Sequence, residues 1–528
     1  GFSREEGAAA YDRGLTEYRR FLTAYRRLGD EVLRQVAADP ERVYVALLGR
    51  PYNAFTRDAN MGIPRKFASH GISILPFDLI YDPGDPIYPN MYWFYGQQNM
   101  KAVQRVKSIP NLYLTWISNF SCAPDSFMLH YVRWMMGQKP YLVLEIDSHS
   151  ADAGIDTRVE AFLDIVESYR RAALPAQERP PVRRYDLIYK KQYADVLDRQ
   201  TGERFDVRDP RVTLVFPSMG DLGVESLARA SRKQGIRTLH LPVPSVQSTQ
   251  LAREVASGKE CIPALLVLGQ ILQFFREHPP NRAGEVWLVF VPSTLGPCRT
   301  GQYHVFYERL FEQLGWGNVV QLVAGSENSY REMGPSFSRD AWWSMVLADV
   351  FTDVRLGLRL LAADVPAALQ LFARCWREVL SGLESGLPAL ERALARAGRQ
   401  LAAVPRRRTL DELRKVLIVG EIYVRRDNFS VAEVSDYLVE QGIFPKVTDF
   451  TEWMHYTDYS RKLLMDEELK REGFWAAMRS GLLREQAIFY VEKTYKDLVQ
   501  YWVTRHLSPT GLLPGAPHDM AEIVGTAK

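Results

Sequence analysis

The feature that most narrows the fold is a local unit that occurs twice with the same internal spacing. An apolar run, Val43-Tyr44-Val45-Ala46-Leu47-Leu48, ends at Gly49, and a polar loop, a helical stretch at 63–69, Gly71-Ile72 and a second apolar pair, Ile74-Leu75, follow. Near the C-terminus Val416-Leu417-Ile418-Val419 ends at Gly420 and leads, through a polar loop and a helical stretch at 431–440, to Gly442-Ile443. An offset of 371 lays Gly49 on Gly420, Tyr52 on Tyr423, Gly71 on Gly442, Ile72 on Ile443 and Asp78 on Asp449 without a gap. A looser copy runs from Thr213-Leu214-Val215-Phe216 through Gly220 to Gly235-Ile236. Coincidence is the competing explanation, because a glycine after a strand is common. Repeated strand–loop–helix–strand units predict an α/β chain of Rossmann-like domains with open parallel sheets.

The rest of the chain fits around those units. Tyr141–Ile146 and Val286–Val291 are continuous apolar runs, the pattern of strands covered on both faces. Residues 4–38 carry Tyr11, Leu15, Tyr18, Leu22, Tyr25 and Leu28 at helical spacing, and 341–403 reads as helical throughout. The proline-bearing stretch 171–185 reads as a surface linker. A chain of 528 residues exceeds what one core supports. The expected partition is a helical arm at 1–40, a first Rossmann-like domain at 41–205 with Cys122, and a second α/β domain at 206–345 with Cys261 and Cys298. A helical insertion at 346–410 and a third α/β unit with C-terminal helices at 411–528 complete it.

Charge and hydropathy exclude several classes. With 66 basic and 63 acidic residues no global field points to nucleic acid, and Arg406-Arg407-Arg408 reads as a solvated linker. No run approaches the ~20 apolar residues of a membrane span. The first residues lack the layout of a signal peptide, and Gly1 suggests a chain excised from something longer. Four cysteines form no disulfide framework and predict a cytoplasmic, reducing setting.

Three of those cysteines stand in one kind of place. Cys122 follows an apolar strand and precedes a helical run; Cys261, in Gly258-Lys259-Glu260-Cys261-Ile262-Pro263, precedes another; Cys298, in Gly296-Pro297-Cys298-Arg299-Thr300-Gly301, lies between strand and helix. Helix N-termini favour thiolate and donate hydrogen bonds to sulfur. Three thiolates are one short of a closed four-ligand shell, which leaves a metal position open. Gaps of 139 and 37 residues match no ferredoxin or zinc-finger spacing, so a shared metal site and three separate small core residues both stay open on this reading. Cys375, in Ala373-Arg374-Cys375-Trp376, reads as a buried structural thiol.

These stretches, together with Leu48-Gly49-Arg50-Pro51-Tyr52-Asn53, the run Leu144–Gly154 and Gly420–Arg425, resemble the 2-hydroxyacyl-CoA dehydratase / benzoyl-CoA reductase-like superfamily. The similarity is greatest to the dehydratase-like portion of the large CoA-substrate-specific enzyme activase proteins. The resemblance implies a 4Fe–4S cluster on Cys122, Cys261 and Cys298 with one open iron. It also implies an ATP-hydrolysing iron–sulfur activase as partner, an acyl-CoA-type substrate, and one-electron chemistry that reduces or dehydrates it in a dimer or hetero-oligomer. The chain departs from the pattern in lacking the activase ATPase modules and in carrying one cysteine set, with Ala123 where glycine is expected. The alternatives are a non-catalytic electron-transfer or cluster-carrier module, and a zinc protein in which His304 joins the three cysteines.

Further polar residues complete the candidate set. Asp147, His149 and Asp152 form an acid–His–acid cluster after a strand, either a proton relay or a structural network. Asp147, His149 and Arg299 are the catalytic candidates; Arg50, Asn53, Lys259 and Gln302 are candidates for substrate binding, with loop capping as the alternative for each. The aromatic stretch 88–95 reads mainly as packing.

Overall fold

The structure, a computed structural model, describes residues 3–85, 91–120, 122–172, 183–280, 284–294, 298–325 and 330–514. Parts of the expected linker at 171–185 and of the aromatic stretch at 88–95, and positions 121 and 295–297 beside two of the cysteines, lie outside the described residues. The chain divides into two compact units, the first comprising Gly1–Pro181, Ser257–Cys261 and Ser293–Leu310, the second Val182–Ala256, Ile262–Pro292 and Phe311–Lys528.

The first unit opens with the helix α1 (Arg4–Ala38), started by a capping box of Ser3 and Glu6. Its apolar stripe is exposed at Tyr11, Tyr18 and Leu28, whereas Gly29, pressed against the Leu79 carbonyl, and Val36 are buried. A four-stranded sheet follows, of β1 (Tyr44–Gly49), β2 (Ser73–Pro76), β3 (Leu112–Asn119) and β4 (Tyr141–Ile146), in the order β2-β1-β3-β4. All three pairings are parallel. Alternate residues of β1 enter different cores, Ala46 and Leu48 on one face, Val45 and Leu47 on the other. The sheet is therefore covered on both faces, as its unbroken apolar runs require. The covering helices include α2 (Phe94–Ser108), α3 (Ala123–Met136) and α4 (Asp152–Ala172). Asn99 of α2 clasps the first glycine turn, its Oδ1 accepting from Gly49 N–H at 2.9 Å and its Nδ2 donating to the Gly49 carbonyl at 3.1 Å.

The second unit begins with an antiparallel meander, β5 (Tyr185–Ile188), β6 (Asp195–Asp198) and β7 (Arg204–Asp206), which sequence reading did not anticipate. Its main sheet is β11-β10-β8-β9, built from β8 (Val212–Phe216), β9 (Thr238–His240), β10 (Val286–Ser293) and β11 (Val319–Gly325). The β8–β9 and β8–β10 pairings are parallel. The helices α5 (Asp221–Lys233), α6 (Ile262–Glu277) and α7 (Tyr303–Gln313) follow β8, Cys261 and Cys298, α7 beginning in the first unit. The stretch 341–403 is not one helix but three, α8 (Phe337–Leu361), α9 (Val365–Ser385) and α10 (Leu387–Ala402). Asp364 caps α9 by accepting from Ala367 N–H at 3.0 Å, and Gly386 turns the chain at φ +108°. Both are ordinary boundary signals, an N-cap with proline in the first turn that starts α9 and a positive-φ glycine that ends it. The last parallel pair, β12 (Lys415–Ile418) and β13 (Phe444–Val447), encloses α11 (Asn428–Glu440) and precedes α12 (Phe450–Glu472) and α13 (Leu482–Leu507). The repeated Rossmann-like parallel units expected from the glycine spacing are thus present. No helix among the described residues is long and apolar enough to cross a membrane.

Candidate thiol site

All three candidate cysteines belong to the first unit, because the short segments Ser257–Cys261 and Ser293–Leu310 join it. Cys122 is the N-cap of α3, its sulfur accepting from the Asp125 N–H at 3.5 Å. Arg50, immediately after Gly49, donates from Nη2 to the same sulfur. Its Nε lies 3.9 Å from Asp125 Oδ1, and its guanidinium rests over the Tyr52 ring at 5.1 Å. Asp125 is buried and accepts from the Ser118 hydroxyl at 2.5 Å, which fixes the first turn of α3. Burial and the Asp125 carboxylate push the Cys122 thiol up to about 11, against the pull of the Asp125 N–H and Arg50. Left to itself this sulfur keeps its proton at neutral pH; a metal would have to displace it.

Cys261 is half-buried and its Sγ lies 2.6 Å from the Tyr303 hydroxyl. The loop that presents it is tied down by Glu260, whose carboxylate accepts from Ser257 N–H (2.9 Å), Ser257 Oγ (2.7 Å) and Lys259 N–H (3.0 Å) and lies 2.5 Å from His130 Nε2. Burial alone would raise that carboxyl, but His130 and Ser257 hold it down at about 2. Cys298 is exposed, with Sγ 3.2 Å from Thr300 Oγ1, and its carbonyl accepts from the Tyr92 hydroxyl. Tyr303, five residues on, feels both Cys261 and Cys298; burial and those two sulfurs raise its phenol far above the usual range. Sequence reasoning did not single it out. Nor did it find His130, whose ring stacks on Phe306 at 4.1 Å.

One face of α3 gathers the other two cysteine segments. Ser126 Oγ accepts from Arg299 Nη1 at 3.3 Å, and Phe127 stacks on Tyr303 with centroids 5.5 Å apart. One turn further, His130 meets Glu260, and the Tyr131 hydroxyl donates to Gln302 Oε1 at 2.9 Å. Residues at i, i+1, i+4 and i+5 share a helix face, so one face reaches both the Cys261 loop and the segment after Cys298.

The remaining candidates are placed as follows. Arg50 and Arg299 stand beside Cys122 and the α3 start. Asn53 is buried in the short helix after Gly49, with Nδ2 lacking a hydrogen-bond partner among the described residues. Lys259 pairs with Glu145 of β4 at 2.9 Å, and Gln302 is fully buried against Tyr131. The hydrogen bonds of Asp147 and His149 stay within the turn 147–150, where Asp147 Oδ1 accepts from His149 N–H and Ser150 Oγ, both at 2.9 Å. Those bonds hold the Asp147 carboxyl below its ordinary value, His149 points to solvent, and Asp152 pairs with Lys66 at 2.8 Å instead. Burial pushes the His304 imidazole down to about 4, so it is neutral. Cys375 sits in the helical core of the second unit, 3.2 Å from Gln400 Oε1.

Each of the three thiols lies in a loop entering a helix and has an N–H or O–H group beside its sulfur, the kind of donor an iron–sulfur cluster would call for. Among the described residues, no three His, Cys, Asp or Glu side chains converge closely enough to hold a metal ion.

Residues 1–80 match a family model described as the CoA enzyme activase uncharacterised domain (DUF2229). That match covers α1 and the whole of the first glycine-loop unit, including Arg50 and Asn53. No curated protein and no solved structure matches the chain.

Proposed function

We propose that this chain is an iron–sulfur enzyme subunit that accepts a low-potential electron from an ATP-dependent activase and reduces or dehydrates an acyl-CoA-type substrate. The observation that carries the reading is the single face of α3, which starts at Cys122 and engages both the Glu260–Cys261 loop and the Arg299–Tyr303 segment. The match of residues 1–80 to a CoA enzyme activase domain supports the CoA context. Cys122, Cys261 and Cys298 would hold a 4Fe–4S cluster, which when bound supplies one-electron transfer and an open iron as Lewis acid. The chain's own groups set the conditions around it. Arg50 offsets thiolate charge at Cys122, while the Tyr303 and Thr300 hydroxyls serve the other two sulfurs. Arg299 carries a fixed positive charge beside the start of α3.

Anaerobic purification with iron and sulfide analysis tests this directly. About four irons per chain are expected, lost in Cys298→Ala, with an EPR signal on reduction; stoichiometric zinc instead would sink the proposal. The exposure of Cys298 favours a second reading, an electron- or cluster-carrier module. The two separate on adding acyl-CoAs to the reduced protein: a changed EPR spectrum supports the enzyme, an unchanged one across the set supports the carrier. Tyr303→Phe should keep the iron content and shift the reduction potential, since it removes a hydrogen bond to sulfur.

A further inference from the structure

A second place in the molecule has the makings of a binding site, and it lies wholly within the second unit. The loop after β8 turns at Gly220, φ +103°, where a Cβ would sit 2.6 Å from the Arg426 carbonyl oxygen. Only glycine allows that approach. It brings the start of α5 against the start of α11, with Asp221 N–H donating to Asn428 Oδ1 at 2.8 Å. Between them is a cavity of about 330 Å³ whose lining includes Arg355, Arg359, Arg425 and Arg426. Asp221 and Asp436 are the acidic residues of the lining, so four guanidiniums face two carboxylates.

The arginines are held but not exhausted. Arg355 grips Asp221 with two bonds of 2.5 and 3.0 Å, and Arg359 donates to Asp436 at 2.7 Å. Both carboxylates are substantially exposed, at 41% and 55% of their side-chain surface. Arg426 is braced from behind by Asp349 at 2.9 Å and by Thr352. Arg425 donates from Nη2 to the Asp449 carbonyl at 3.3 Å, but its buried Nε has no acceptor among the described residues. A guanidinium carries five N–H donors, and the bonds named here use one or two on each. A buried donor without an acceptor is costly unless an anion supplies one. Leu222, Leu356, Leu369 and Val431 give the cavity an apolar wall. The volume lies at the low end of the range of about 300–1,000 Å³ for small-molecule sites.

We propose that this cavity binds the pyrophosphate group of a nucleotide-type ligand, with the phosphates on the Arg355, Arg359, Arg425 and Arg426 guanidiniums and the Gly220 turn. Open α/β sheets bind ligands beyond the carboxyl ends of their strands, where a glycine turn meets a helix N-terminus. Gly220 occupies that position after β8. Forked donors read phosphate oxygens better than lysines do, which accounts for an all-arginine basic set. Two kinds of molecule carry this chemistry, a free nucleoside diphosphate and the ADP portion of coenzyme A.

Isothermal titration of the full chain with inorganic pyrophosphate, ADP, coenzyme A and adenosine tests the proposal. Saturable binding of the first three, with none for adenosine, is expected. Affinity should fall at least tenfold in Arg359→Gln/Arg425→Gln and weaken steeply with salt. Ala432→Phe, which fills the cavity from the α11 wall, should abolish binding if the arginine variant fails to fold. Tighter binding of coenzyme A than of ADP assigns the CoA source, and the reverse assigns a free nucleotide. Absence of saturable binding for all three phosphates at millimolar concentration overturns the proposal. So does unchanged affinity in a folded Arg359→Gln/Arg425→Gln or Ala432→Phe chain. Cys298→Ala should bind as the parent chain does, so the fate of the thiol reading does not bear on this one.

Discussion

The two spaced glycine-loop units share their backbone and differ in their surroundings. Tyr44↔Ser73 on β1–β2 becomes Lys415↔Phe444 on β12–β13, the same register under the same offset of 371. Gly49 and Gly420 take φ of +134° and +143°, and Gly71 and Gly442 take +74° and +69°. Yet β1 is an inner strand, with β3 on its other edge, whereas β12 belongs to a two-stranded sheet. Leu48 is fully buried, and its counterpart Val419 is 65% exposed. Local sterics therefore set the unit's geometry, while its neighbours decide how strongly any residue in it is held.

The sharpest way to break this comparison is at the paired glycines. A side chain at either position meets unfavourable φ, which costs about 1–3 kcal/mol. At Gly49 the added Cβ would also lie 2.4 Å from the Ile117 carbonyl oxygen, whereas at Gly420 it meets nothing within 4 Å. Gly49→Ala should therefore cost more than about 3 kcal/mol or prevent folding of the first unit. Gly420→Ala should stay within the strain alone. Hydrogen exchange resolved by unit reads both, and equal losses would mean that β3 does not distinguish the copies.

Next in size is the pair Leu48→Ala and Val419→Ala. The first removes buried methyl groups and should cost about 2–5 kcal/mol; the second should change stability by no more than about 0.5 kcal/mol. Comparable losses in urea unfolding would require β12 to be covered in solution.

The smallest effect is a pH dependence at Asp353, which shares Lys446 with the aligned Asp449. Asp78 accepts from the Tyr25 hydroxyl at 3.2 Å, whereas Asp449 accepts from Lys446 Nζ at 2.7 Å, which also donates to Asp353 at 2.6 Å. Burial pushes the Asp353 carboxyl up to about 7 despite Lys446. The folded state then holds a proton that the unfolded chain releases near its ordinary value of 3.8. Stability from this group is full below about pH 4 and is lost as pH rises through about 7. Asp353→Asn should flatten that slope in the second unit's melting temperature, and an unaltered slope would place the titration elsewhere. Burial raises the Asp78 carboxyl of the first copy as well, so that copy should keep a slope of the same sign, which Asp353→Asn leaves untouched.

What the sequence made legible follows from the range of the forces involved. The glycine positions could be read because left-handed backbone is a one-residue steric demand, visible at Gly49 and Gly420 alike. The loop-to-helix placement of Cys122, Cys261 and Cys298 could be read for a similar reason, from proline and apolar periodicity nearby. The role of α3 could not: Ser126, Phe127, His130 and Tyr131 look like an ordinary amphipathic helix until Glu260, Arg299, Gln302 and Tyr303 stand against it. Likewise, Asp147, His149 and Asp152 are neighbours in sequence, but Lys66 takes Asp152 and a local turn takes the other two. The cavity beside Gly220 draws on five separated stretches, and no spacing in the chain announces it.

The first unit takes two short segments from far along the chain, Ser257–Cys261 and Ser293–Leu310. On the ribosome, its parallel sheet can pair once β4 has emerged, but two of its three cysteine segments have not yet been made. The unit reaches its full set of contacts only after Leu310 has been translated, when β8, β9 and β10 of the other unit already exist. At synthesis rates of about 5–20 residues per second, the delay between β4 and Leu310 is on the order of ten seconds or more. Through that interval Cys122 waits without the segments that carry Cys261 and Cys298, so any metal loading of all three thiols belongs late in the chain's synthesis or after it.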